Sequence, residues 1–368
     1  MLNYIIVIIL LVIIYILYQR YQDKNFIVPE EETYHYLQNH VLNDESSIHT
    51  TKKPIIWIYI PYEYNSRHWQ SFGSRSSCNL NQPYLYLTVK SIIKNCEDSF
   101  MICLVDDKSF EKLIPGWNIN MDLLPDPILT YVRQMTMSKL VYKYGGMVLP
   151  ISFLCFRNLL NMYETGVAHG KMFIGENIDY NVTSVHYDFY PNIGLMGAEK
   201  NNPTVGELID FMQRIISSDY TAQAQFLGEF NRWCNTRINS GRVHLISGKD
   251  LGTMDIEDEP VLIEKLLGND YIQYYKNMYG IWIPADMILK RRYYEWFTRM
   301  SAKQILNSHF ILAKYMLLAL APDSHLGVIE PLENKLNWVG YWRVPSGAPV
   351  WGLKPIDLGN YVPKEKHL

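Results

Sequence analysis

The apolar pattern divides the chain before any single residue is considered. From Leu2 to Tyr18 only Asn3 is strongly polar, and Ile5 through Ile14 are all aliphatic. At 1.5 Å per residue a helix over this stretch reaches roughly 26 Å, enough for a thin bilayer. Tyr4, Tyr15 and Tyr18 lie near its ends, where interfacial rings belong. A basic start and a small-residue cleavage site are both missing, so residues 1–18 read as an uncleaved transmembrane anchor. Arg20 and Lys24 follow the span and only the α-amino group precedes it, which predicts a cytosolic C-terminal body on a single-pass membrane protein. Residues 19–53 show no apolar period and carry Glu30-Glu31-Glu32 and the polar run from Asn43 to Ser47; they read as a polar stalk.

Beyond the stalk, strand and helix patterns alternate. Pro54 to Pro61 is a short apolar run bounded by prolines, as a buried parallel strand should be. Leu85 to Asn95 predicts a helix, and Phe100 to Val105 a second strand that ends at Asp106-Asp107, where acids suit the start of the next helix. After Pro125 and Pro127, the positions Met137, Leu140, Val141 and Tyr144 recur at helical spacing, and Gly145-Gly146 supplies a stop. Val205, Leu208, Ile209, Met212, Ile215 and Ile216 mark a further helix. His309 to Ala321 is apolar but too short to span and carries Lys314, so it predicts a buried C-terminal helix. This order predicts an α/β body over residues 54–336, with a mixed, mainly parallel sheet, followed by a C-terminal extension over residues 337–368 that carries Trp338, Trp342 and Trp351.

Composition narrows the chemistry. With 368 residues, 48% of them hydrophobic, there is material for a sizeable core, and a net charge of -3 offers no electrostatic case for nucleic acid. Cys78, Cys96, Cys103, Cys155 and Cys234 are odd in number and lack metal-ligand spacing; they read as reduced, largely buried thiols. The acids Asp255, Glu257, Asp258 and Glu259 read as a solvated loop, and Lys290 to Phe297 as a half-buried helix whose basic residues snorkel. The sequon at Asn181 reads as a chance triplet. There is no phosphate-cradling glycine loop and no Ser/His/Asp order.

The stretch from Tyr131 to Ser152, with Tyr144-Gly145-Gly146 at its centre, is similar to the signature of the glycosyltransferases that carry a DXD sugar-binding region, family 32. Lys53 to Pro61 fits that family's first strand loosely. Pro191 to Pro203 resembles its strand-to-helix element beside the acceptor cleft, with Asn202 where a histidine is customary. The resemblance implies a GT-A-like (Rossmann-like) nucleotide-diphospho-sugar transferase fold and, in working members, two aspartates that hold Mg²⁺ or Mn²⁺ against a diphosphate leaving group. Those two positions are Pro150 and Ser152 here, and Arg133 and Thr136 stand where the family's helical Asp and Arg fall. Proline has no side-chain oxygen, and a serine hydroxyl is a weak neutral ligand. The DXD site is degenerate, and no metal or other cofactor is expected at it. Candidates for nucleotide-sugar contact are Arg133, Gly145, Gly146, Ser152 and Asn192.

Two functions remain open at this point, because fold alone does not fix chemistry. One is a membrane-anchored, catalytically impaired protein that serves as a scaffold, a binding module or a virion component of a large DNA virus. The other is an active glycosyltransferase, using Mn or Mg, with carboxylates relocated to the space around Ser152, Asp188 and Asn192. The partners implied are a membrane, a nucleotide sugar or glycan, and virion proteins.

Overall fold

Ile55–Tyr59 forms the first strand, β1, and Ile55 to Ile58 are all buried on both faces, as the centre of a parallel sheet requires. The computed structural model describes Tyr15 and residues 52–60, 82–125, 127–178, 189–218, 223–290, 292–300 and 302–320. The rest of the proposed anchor and most of the stalk, the sequon, Asp188, Cys78 and the C-terminal extension lie outside the described residues. Among the described residues no helix is long and apolar enough to cross a membrane.

Helix α1 (Pro83–Cys96) leads to β2 (Met101–Val105), which pairs parallel to β1 with Ile56 opposite Ile102. Helices α2 (Asp107–Leu113) and α3 (Ile128–Tyr144) then carry the chain to the other side of β1, where β3 (Gly146–Val148) pairs parallel with it. β4 (Phe153–Cys155) leaves this sheet, and α4 (Leu160–Val167) returns the chain to β5 (Met172–Ile178) and β6 (Phe189–Ala198). α5 (Pro203–Ser217) and α6 (Gln223–Asn239) precede β7 (Val243–Ile246). The strand order is β2-β1-β3-β6-β5-β7, and three of the five pairings are parallel. The mixed, mainly parallel sheet expected from the sequence is therefore present.

Short helices α7 (Gly248–Leu251) and α8 (Ile263–Leu266) lead to β8 (Gly280–Trp282), which pairs antiparallel with β4. Helices α9 (Ala285–Lys290), α10 (Glu295–Arg299), α11 (Ala302–Leu306) and α12 (Ile311–Leu320) follow. Two apolar clusters result. One joins the sheet to α3, α5 and α6, and the other gathers α1, β4, β8 and the C-terminal helices around Phe297 and Phe310. The aromatic half of the basic segment lies in this second cluster, with Tyr294, Trp296 and Phe297 all buried. α12 is the buried terminal helix that the sequence predicts, and its charged interruption, Lys314, is exposed.

Candidate functional site

The chain passes from β1 to β2 on one side and to β3 on the other. The crevice outside the carboxyl ends of β1 and β3 is therefore the topological switch point, where open α/β sheets bind ligands. Three of the five candidate residues lie at that end: Ser152 follows β3, Asn192 lies on β6, whose Met196 pairs with Val148 at the end of β3, and Arg133 lies over Tyr59, the last residue of β1. Gly145 and Gly146 enter β3 at its opposite, amino end, beside Ile55.

The glycine pair is the splice between α3 and β3. Gly145 leaves the helix at φ 79°, its N–H donates to Val141 O at 2.8 Å, and its carbonyl accepts Trp57 Nε1–H at 3.0 Å. Gly146 has φ 94°, and a Cβ there would stand 2.2 Å from Ile55 O. Only a residue without a side chain lets β3 approach β1 this closely.

Pro150 and Ser152 occupy the turn that redirects the chain into β4. Pro150 O accepts Phe153 N–H at 2.9 Å, and Ile151 O accepts Thr88 Oγ1–H at 2.6 Å. The Ser152 hydroxyl donates to Ile283 O at 2.8 Å, and Ile283 N–H donates back to Ser152 O at 3.2 Å. Ser152 is 3% exposed, so its hydroxyl is a satisfied buried group that fastens β4 to the segment after β8. The metal implied by the resemblance does not fit this pair: one residue has no donor, and the other has committed its neutral one. Among the described residues, no group of three or more His, Cys, Asp or Glu could hold a metal ion.

Arg133 sits at the end of β1 and β2. Its Nε and Nη2 donate to Asp107 Oδ1 at 3.1 Å and Oδ2 at 2.7 Å, a two-pronged pair. Tyr59 OH donates to the same carboxylate at 2.8 Å, and the guanidinium lies 5.3 Å from the Tyr59 ring centre. Burial pushes the Tyr59 phenol well above its ordinary range, with Arg133 opposing the shift. Asp106 caps α2 in a reciprocal box with Ser109, as the sequence position suggests. Thr136 is buried, and its hydroxyl is spent on Val132 O at 2.6 Å.

Asn192 Nδ2 donates to Tyr190 OH and its Oδ1 accepts Gly194 N–H, both at 2.8 Å. Trp282 of β8 packs against Gly194 and pairs with Phe153, the residue after Ser152. Asn202 caps α5 through Thr204 N–H at 2.9 Å and Val205 N–H at 3.3 Å, and donates to Gly170 O at 2.8 Å. The customary histidine position thus holds a buried helix cap.

One acid without a role in the sequence analysis stands near this edge, opposite Pro191 of β6. Glu176, at the end of β5's paired run with β7, accepts Gly248 N–H at 2.9 Å. Its only sequence signal is a lone acid within an apolar strand. Burial raises the Asp250 carboxyl above its ordinary value, with Arg157 opposing. The acid-rich loop corrects an expectation. Its Asp255 is buried, not solvated, and binds Glu257 N–H at 3.0 Å, Glu259 N–H at 2.9 Å and Lys265 Nζ at 3.3 Å.

No protein-family profile matches the chain. No curated protein matches it either. Among solved structures it is similar to the glycosyltransferase GlyE of Streptococcus pneumoniae TIGR4, with a TM-score of 0.31 and 10% identity over 54% of this chain and 46% of that one. It is also similar to the galactosyltransferase LgtC in complex with donor and acceptor sugar analogues, with a TM-score of 0.29 and 11% identity over 53% and 74% of the two chains. For an active-site mutant of LgtC the values are 0.31 and 14%, over 53% and 73%. The chain spans about half the length of GlyE, 46%.

Proposed function

We propose that this protein has a glycosyltransferase-like fold whose switch-point crevice has lost metal-assisted sugar transfer, and that it acts as a membrane-tethered binding or structural component. The observation that carries the reading is the Ser152 hydroxyl, buried and donated to Ile283 O at 2.8 Å. A position that would have to present a carboxylate to a metal is used to join β4 to the chain after β8. Pro150 beside it has no oxygen to offer. Loss of one transition-state charge stabiliser costs ~10²–10³-fold in rate, and here both ligands are replaced.

What remains in the crevice suits recognition without turnover. At the β1 end the Arg133–Asp107 pair lies over the Tyr59 ring, and Asn192, bonded to Tyr190 and Gly194, lies near Trp282. A nucleotide sugar or a glycan is the ligand class this combination favours. The relation to family 32 rests on the Tyr144-Gly145-Gly146 frame. Membrane tethering, with the body in the cytosol, rests on the apolar run from Leu2 to Tyr18 and on Arg20 and Lys24. A place in the internal membrane of a large virus particle is the setting that a short anchor on an impaired transferase fold suggests.

The test is turnover of common nucleotide sugars by the full chain in detergent, with and without Mn²⁺. The expected result is no Mn²⁺-dependent release of the nucleotide. Mn²⁺-stimulated turnover that disappears on Glu176→Gln would overturn the reading in favour of an active transferase with relocated acids. For the tether, deletion of residues 2–18 should release the protein from carbonate-washed membranes.

A further inference from the structure

Cys96 ends α1, Cys155 ends β4, and their buried sulfurs stand 3.9 Å apart. The strand residue is held from both sides by the helix that carries its partner. Cys155 N–H donates to Ser91 Oγ at 2.9 Å, and Asn95 Nδ2 donates to Cys155 O at 3.1 Å. Ser91 and Asn95 are themselves fixed, through Thr88 O at 2.6 Å and Ser91 O at 2.8 Å. Both backbone polar groups of Cys155 are thus bound within about one turn of Cys96. The other described cysteines have no such partner. Cys103 and Cys234 are buried apart, and burial alone pushes the Cys103 thiol up to about 12. Cys96 differs, since the hydrogen bond with Cys155 holds its thiol below the ordinary value against burial.

We propose that Cys96 and Cys155, thiols in the resting protein, are a pair built to close into an intramolecular disulfide when the surroundings turn oxidising, with a small-molecule disulfide of the oxidised-glutathione class as the oxidant. The Cys96 thiolate attacks one sulfur of that disulfide, and the first glutathione leaves and takes up the proton Cys96 has lost. Cys155 then gives up its proton, attacks Cys96 Sγ in the mixed disulfide and expels the second glutathione, which takes that proton. Two protein thiols are oxidised and one glutathione disulfide is reduced to two thiols. The sulfurs must close by roughly 1.9 Å to reach the ~2.05 Å of a disulfide bond. Both thiols are shielded in the folded chain, so the first attack belongs to folding or to a local opening of β4 from α1. The bond would enclose a loop with a sequence separation of 59 residues, which holds β2, α3, β3 and the turn at Pro150 and Ser152.

The test is to refold the full chain from urea in a glutathione buffer with excess oxidised form, alkylate it with N-ethylmaleimide and map it without reduction. The expected result is one cross-linked peptide pair joining Cys96 to Cys155, with Cys78, Cys103 and Cys234 alkylated once the chain is unfolded in the presence of the reagent. Reduction should then lower the thermal midpoint by roughly 5–10 °C, a shift absent from Cys96→Ser and Cys155→Ser. Refolded protein in which Cys96 and Cys155 are alkylated, bound to glutathione or paired with other cysteines overturns the proposal. The mapping uses the natural sequence, so it decides the matter even if a variant fails to fold.

Discussion

Replacing Gly146 with alanine tests the splice that places the crevice. Its φ of 94° is one that L side chains rarely adopt, which costs ~1–2 kcal/mol. The new Cβ would also stand 2.2 Å from Ile55 O and 2.9 Å from Ile55 C, atoms of a central strand that cannot swing aside as a side-chain tip can. Relieving that contact means moving β1 from β3 by about 1 Å, with the overpacking cost of ~1–3 kcal/mol and weakened ladder bonds. Together these give a loss of roughly 3–5 kcal/mol, a large part of the ~5–15 kcal/mol of an ordinary domain. In a urea titration followed by tryptophan fluorescence, a slope near ~3 kcal/mol/M turns this into a midpoint lowered by ~1 M or more. Gly116 is the control. Its φ is 73°, but nothing lies within 4 Å of the added Cβ, so Gly116→Ala should cost only the conformational part. Equal losses for the two variants would refute the steric account of Gly146.

Ser152→Ala should cost ~1–3 kcal/mol by leaving Ile283 O without its side-chain donor, and Ser152→Asp should cost more while bringing no Mn²⁺-dependent activity; thermal unfolding and a turnover assay check both. Asp107→Asn should cost ~1–3 kcal/mol, and a double-mutant cycle with Arg133→Met should return a coupling of ~1 kcal/mol or more, whereas no coupling would dismiss the two-pronged pair as a contributor. His244 is held below its ordinary pKa by burial and by Lys171, so the unfolded chain binds its proton first. Stability should therefore fall as pH drops through the ordinary histidine range near ~6.5, and His244→Gln should flatten that slope in pH-dependent urea titrations.

Much of the fold is legible in the sequence because its signals are local. Proline-bounded β1, the apolar stripe of α3 and the glycine pair announce themselves within a few residues, and each lies where the pattern puts it. The site is less legible because its contacts are distant. Asp107 meets Arg133 and Tyr59 over separations of 26 and 48 residues that no periodicity reports. The role of Ser152 depends on β8, a strand of three residues with no alternation to betray it. Asp255 shows the opposite failure. An acid-rich run looks solvated, yet one carboxylate turns inward because two backbone N–H groups of its own loop point at it.

The pairing of β4 with β8 also sets an order of events during synthesis. Ser152 and Ile283 are separated by 131 residues, so a ribosome adding ~5–20 residues per second delivers the partner of β4 about 7–26 s after β4 itself. Through that interval Phe153, Leu154 and Cys155, all buried in the finished protein, wait with an open strand edge. The first apolar cluster can close meanwhile, since nearly all of its residues precede Val243. The second cannot, because most of it comes from Val261 onward. The nascent chain therefore passes through a long-lived half-assembled stage, and a holdase that covers β4 should raise the yield of folded protein more than one acting after release.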